Sequence, residues 1–121
     1  GSDDGEAANA ATALVRQFGE DLNHGNLGAC ASLCRYPFVQ VGIGEVRRIE
    51  DAAGLQEMLG NAPARTRTSV DVQAAKSATH GVIVTVTTAY ETGDSEHTLM
   101  IVGKQESSWQ IAGASTMVAS P

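Results

Sequence analysis

An α+β fold is what this chain predicts, on three observations. Amphipathic helical periodicity is confined to the first half of the chain, and four strand-like runs on short turns follow one another in the second. Among those runs Val82–Tyr90 stands apart: β-branched and aromatic residues almost throughout, with no charge, Gly or Pro. Such a run fits a central strand, flanked on both sides and covered on both faces. Helices segregated from an antiparallel meander define the class.

Each element has its own local reason. From Ala7 to His24, Ala11, Leu14, Val15, Phe18 and Leu22 recur at three- and four-residue steps, with Arg16, Gln17, Glu20 and Asn23 between them; this is an amphipathic helix. Asp3, Asp4 and Glu6 place caps and negative charge at its start. Gly25 supplies the left-handed stop. Asn26 then caps a short helix from Leu27 to about Leu33, and Tyr36-Pro37 breaks it. Phe38–Gly42 and Glu45–Ile49 read as two short strands around Gly42-Ile43-Gly44. A third helix, Ala52 to Asn61, is capped by Glu50-Asp51, with Pro63 beyond its end. Strands follow over Thr66–Ala75, Val82–Tyr90, Glu96–Gln105 and Trp109–Val118. The turns between them are Thr79-His80-Gly81, Thr92–Ser95 and Glu106–Ser108, so the order is α-α-β-β-α-β-β-β-β.

The totals narrow the function classes. The 121 residues make one domain, and 42% hydrophobic content is globular. Gly1-Ser2 reads as a scar of tag removal and residues 1–6 as a disordered lead-in to a single domain over 7–121. No apolar stretch approaches the ~20 residues of a membrane span, and the first residues lack the regions of a secretion signal. A soluble, cytoplasmic protein is expected. The net charge of −6 argues against nucleic acid as a partner, despite the loose cluster Arg35, Arg47, Arg48, Arg65 and Arg67. Cys30 and Cys34 sit four apart, on one face if both are helical. No Cys or His pair at ligand spacing completes a zinc site, and a disulfide across one turn is strained. Two small buried hydrophobes on a helix stripe is the reading adopted. No metal and no cofactor are expected.

The element order, with Val15-Arg16-Gln17-Phe18, then Leu22-Asn23-His24-Gly25-Asn26-Leu27, and the late Trp109-Gln110-Ile111, resembles the NTF2-like superfamily. That group includes nuclear transport factor 2, steroid Δ5-isomerases, SnoaL-type polyketide cyclases, scytalone dehydratase and limonene epoxide hydrolase. The resemblance covers about Ala8 to Val118. It implies a strongly curved, mostly antiparallel sheet wrapped round three helices, a cone with an apolar pocket, and homodimers through the outer sheet face.

The resemblance also tests for chemistry. Where the steroid isomerases place a tyrosine, an aspartate base and a protonated aspartate, this chain has Phe18, Gly42 or its neighbour, and Val102. A base and a donor are the minimum for moving a proton beside a carbonyl, so that apparatus is missing. Of an Asp–Arg–Asp epoxide hydrolase relay, only Asp71 with Arg47 or Arg48 is present. For cyclase- or dehydratase-like roles the candidates are Tyr90, His97, Asp71 and Tyr36. Tyr90 shares a strand face with Val84, Val86 and Thr88, toward the implied pocket. His97 alternates with Leu99 and Ile101 on one face, against Thr98, Met100 and Val102 on the other. Asp71 alternates with Val70 and Val72, on a wet face. His24 and His80 are turn residues without assigned chemistry, and no Ser, Cys or Lys has a partner base.

The resulting expectation is a small hydrophobic ligand bound by Phe18, Tyr36, Met58, Val84, Val86, Thr88, Tyr90, Met100 and Thr116. Turnover, if any, would act on a cyclic carbonyl compound through Tyr90, His97 or Asp71. The alternative is a non-catalytic homodimeric association module, because Ile83, Thr85, Thr87 and Ala89 need a cover that the helices cannot supply.

Overall fold

The computed structural model describes residues 2–62, 66–78 and 81–121, with backbone only at 2–4 and 75–78. The turn expected at Thr79-His80, together with Pro63 and Arg65, lies outside the described residues. Helix α1 (Ser2–Asn23) begins ahead of Ala7 and takes in residues 2–6 that the composition placed in a disordered lead-in. Its stripe Ala11, Val15 and Phe18 is buried. The helix ends in a Schellman motif. Gly25 sits at φ 72°, its N–H donates to the Leu22 carbonyl, and the Asn26 N–H donates to the Asp21 carbonyl. Asn26 then accepts the Ala29 N–H with its side chain and opens α2 (Leu27–Ser32). One glycine thus turns the chain from one helix into the next.

Strand β1 (Cys34–Gly42) starts ahead of Pro37, not after it. Cys34 is therefore a strand residue, and the expected two-cysteine helix stripe does not exist. Both thiols are buried all the same, and Cys34 Sγ donates to the Cys30 carbonyl at 3.5 Å. Strand β2 (Glu45–Ile49) returns as a hairpin. Helix α3 (Ala52–Gly60) is capped by Asp51, whose Oδ1 accepts the Gly54 N–H at 2.8 Å. Strands β3 (Arg67–Ala78), β4 (Gly81–Tyr90), β5 (Ser95–Gln105) and β6 (Ser108–Ala119) form the meander.

The sheet is six-stranded and mixed, in the order β2-β1-β6-β5-β4-β3. The β1–β6 pair is parallel and every other pair antiparallel. β4 is flanked on both sides, yet it is next to an edge rather than central. Its alternation is sharp: Val82, Val84, Thr88 and Tyr90 are buried, while Ile83 is 39% exposed. The expectation of cover on both faces therefore fails within one chain. The inner face meets the helices; the outer face meets none of them.

The core joins α1, α2 and α3 to that inner face. Leu55, Ile111, Val82, Val84, Val102 and Cys30 are fully buried, each aliphatic side chain contributing about 1.5–3 kcal/mol. α1 lies against β3, β4 and β6, and α2 against α1 and α3. α1 lies chiefly over the β3 side of the sheet, and the space beside it is bounded by β3, β4 and β5.

Candidate functional site

A cavity of about 560 Å³ lies between α1 and strands β3–β5. Its apolar wall is Val15, Phe18 and Leu22 from the helix, facing Val72, Val86 and Met100 from the sheet. The helix residues arrive there by three- and four-residue spacing, the strand residues by alternation. Antiparallel register aligns Val72 with Val86, Val86 with Thr98, and Thr88 with Glu96, so all of these share the inner face. Exposed Arg16, Glu20, Asn23 and Asp71 stand at the mouth, where Arg16 Nη2 donates to the Val72 carbonyl at 3.5 Å.

The cavity has a polar end, built on the β4–β5 hairpin. The turn is closed by the Tyr90 N–H donating to the Asp94 carbonyl at 2.9 Å and the Gly93 N–H donating to the Tyr90 carbonyl at 3.0 Å. Gly93 carries the positive φ that the turn requires. Tyr90 is buried, and its hydroxyl donates to Glu96 Oε2 at 3.2 Å. Glu96 and the buried Thr88 and Thr98 line the cavity. Behind Thr98 the polar contacts continue: its hydroxyl lies 3.4 Å from that of Thr116, which accepts the Gln40 side-chain N–H at 3.1 Å. A carboxylate, a phenol and two threonines are thus gathered at one end of the chamber, and Arg67, Thr68 and Ser69 of β3 also line it.

Of the residues expected to contact a ligand, Phe18, Val86, Thr88 and Met100 border this cavity. Tyr90 stands beside the chamber, in contact with it through Glu96. Val84 is fully buried core. Thr116 sits behind Thr98. Tyr36 is elsewhere: its hydroxyl donates to the Ala31 carbonyl at 2.8 Å, and burial, with the Cys34 and Asp51 charges adding to it, pushes its pKa up to about 12. Met58 lines a separate cleft between β2 and α3. His97 pairs with Thr87 and Met117 on the outer face, exposed, its Nε2 3.3 Å from Ser95 Oγ. It has no access to the cavity as a base. Asp71 reaches the rim, but register puts it opposite Thr87 on the outer face, where it accepts from Gln73 at 3.2 Å.

Glu96 is the residue the sequence reading missed. The signal was present, since Glu96 is in phase with Thr98, Met100 and Val102, but a charged residue beside a turn reads as solvated.

The structure also disposes of the relay. Asp71 is on β3 and Arg47 and Arg48 are on β2, opposite edges of the sheet. Both arginines are paired with Glu45 and Glu50 at 2.6 Å. At the positions matched to the isomerase tyrosine and protonated aspartate, Phe18 is an apolar wall and Val102 is sealed in the core. Among the described residues no group of three or more His, Cys, Asp or Glu is placed to hold a metal ion. No described helix is long and apolar enough to cross a membrane.

This is an NTF2-like, cystatin-like α+β fold, a six-stranded mixed sheet with three helices. An NTF2-like protein of unknown function from Silicibacter pomeroyi has a similar structure, with a TM-score of 0.70 at 19% identity, over 92% of this chain and 94% of that one. A ketosteroid isomerase-like protein from Erwinia carotovora atroseptica gives 0.72 at 17%, over 96% and 98%. A cystatin-like fold protein from Burkholderia xenovorans gives 0.73 at 14%, over 96% and 94%. No family model and no curated protein sequence matches the chain.

Proposed function

We propose that the protein binds a small, largely apolar molecule in the cavity between α1 and β3–β5, in the manner of SnoaL-like members of the superfamily it resembles. The observation that carries this reading is the cavity: about 560 Å³, within the ~300–1,000 Å³ range of small-molecule sites, with apolar side chains of α1 facing those of β3–β5 and polar groups at one end and around the rim. A domain that needed only a core would fill that space with side chains. The absence of proton-handling groups at Phe18 and Val102 favours binding over steroid isomerisation. The test is a thermal-shift screen with cyclic hydrophobic compounds. A ligand at ~100 times its dissociation constant adds roughly 2.7 kcal/mol, a shift of several degrees. The shift is expected to disappear in Val86→Trp, which fills the chamber. A panel of steroids and polyaromatics that leaves the melting temperature unmoved sinks the reading.

A second reading is compatible with the first. The outer sheet face carries Ile83, Leu99 and Ile101 at 39%, 48% and 54% exposure, and a homodimer through that face would cover them.

A further inference from the structure

Resting on the ligand-binding reading, we infer that the cavity selects molecules presenting a hydrogen-bond donor, an amine or an alcohol, on an apolar body, with the Glu96 carboxylate as the acceptor. Four observations converge on this. Glu96 is an acidic side chain placed on the inner face at the polar end, by its register with Thr88 and Val118, with the half-buried Arg67 of β3 in register with Tyr90 on the same face. A carboxylate accepts only, so a ligand group meeting it must donate. One of its oxygens, Oε2, is held by the Tyr90 hydroxyl, which fixes the carboxylate's orientation; Oε1 accepts no hydrogen bond among the described residues.

Around the cavity the acidic side chains outnumber the basic ones, which favours a cationic donor. Among the described lining residues, Arg16 and Arg67 stand against Glu20, Asp71 and Glu96, in a chain of net charge −6. Arg16 donates to the Val72 carbonyl at 3.5 Å and stays at the exposed rim. A ligand carboxylate would approach Glu96 as a like charge, and a ketone would meet it lone pair to lone pair; both arrangements cost affinity. A protonated amine gains a charge-assisted hydrogen bond instead. Thr88 and Thr98, either side of Glu96 on the inner face, carry hydroxyls able to accept a second donor hydrogen.

The experiment compares four probes with one body: 2-naphthylmethylamine, 2-naphthylmethanol, 2-acetylnaphthalene and 2-naphthoate, titrated calorimetrically against the wild type and Glu96→Gln. The amine and alcohol are expected to bind at least about tenfold more tightly than the ketone and carboxylate, as hydrogen bonds to a charged group imply. That preference should collapse in Glu96→Gln and weaken in Tyr90→Phe, where the carboxylate loses its orienting partner. Comparison within the wild type needs no variant to fold. If the ketone or carboxylate binds as well as the amine, the inference is overturned while ligand binding stands. A preference for donors that survives intact in Glu96→Gln also overturns it, by moving recognition to the threonines. If no probe binds, both the ligand-binding reading and the inference fall.

Discussion

Gly113 shows what a single hydrogen atom in place of a methyl can decide. A Cβ built there would lie 2.9 Å from the Val39 carbonyl oxygen, closer than backbone can tolerate. Gly113 is where β1 and β6 pair in parallel, so Gly113→Ala must push the two strands apart. Overpacking of this kind costs about 1–3 kcal/mol. A lower urea midpoint with an unchanged slope is expected; an unchanged midpoint would show that β1 gives way freely. The cysteines make a second residue-scale prediction. Burial pushes the Cys34 thiol up to about 12, with Cys30 adding to the effect, and raises Cys30 to about 11, assisted by the Asp21 charge. The thiolate is the nucleophile, so native protein at pH 8 should react with a disulfide reagent far more slowly than protein in urea. The same shifts set a sign for stability. The unfolded thiols ionise near 9, so their contribution is complete below that pH. It is lost as pH rises toward 11 and 12, because ionisation then favours the unfolded chain. Denaturation midpoints that hold level across that alkaline window in the wild type, after comparison with a Cys30→Ala/Cys34→Ala variant, would contradict it.

At the scale of elements, the caps and turns were the most legible part. Asn26 and Asp51 were read as N-caps from their place before apolar periodicity, and both bond the N–H three residues on. Removing such a cap costs ~1 kcal/mol. Asp51→Ala should be the costlier change, since its bond is 2.8 Å against 3.4 Å for Asn26. Equal melting temperatures for the two variants would mean that tertiary packing, not capping, holds both helices. The start of β1 was misread for a physical reason. A proline ends a helix at its predecessor, but nothing local requires the helix to last that long. The chain leaves α2 after Ser32 because the Leu33 carbonyl accepts the Ile111 N–H at 2.9 Å, a partner almost eighty residues away in sequence.

At the scale of the whole molecule, the outer sheet face stands out, since the helices pack on the other side. Register sets Ile83 beside Ile101 and Thr85 beside Leu99. Beyond them the small residues Gly113 and Ser115 separate this pair of strands from Val39 and Val41. The result is an apolar band across four strands, with His97 and Thr87 at its polar end. A band of that extent is costly to leave in water. Sedimentation velocity is expected to find a dimer at micromolar concentration, and Ile101→Lys, which places a charge at the band's centre, to give a folded monomer. A wild-type monomer at high concentration would refute the dimer without touching the cavity.

The sequence alone determined the class of fold and nearly all the elements. Those features depend on local spacing: 3.6 residues per helical turn, two per strand, and the conformational freedom of Gly25. The resemblance to NTF2-like proteins added Phe18, Val86, Thr88 and Met100 as residues turned toward a pocket. Only the tertiary structure decided which inward-facing residues border empty space and which fill the core. Val84 and Val86 are equivalent by alternation, yet one is sealed and the other lines the chamber, because α1 crosses the sheet at one position and not another. The same crossing brings Glu96 to the chamber and leaves Tyr36 and Met58 at other sites. Packing between distant segments sets that crossing, and no window of neighbouring residues records it.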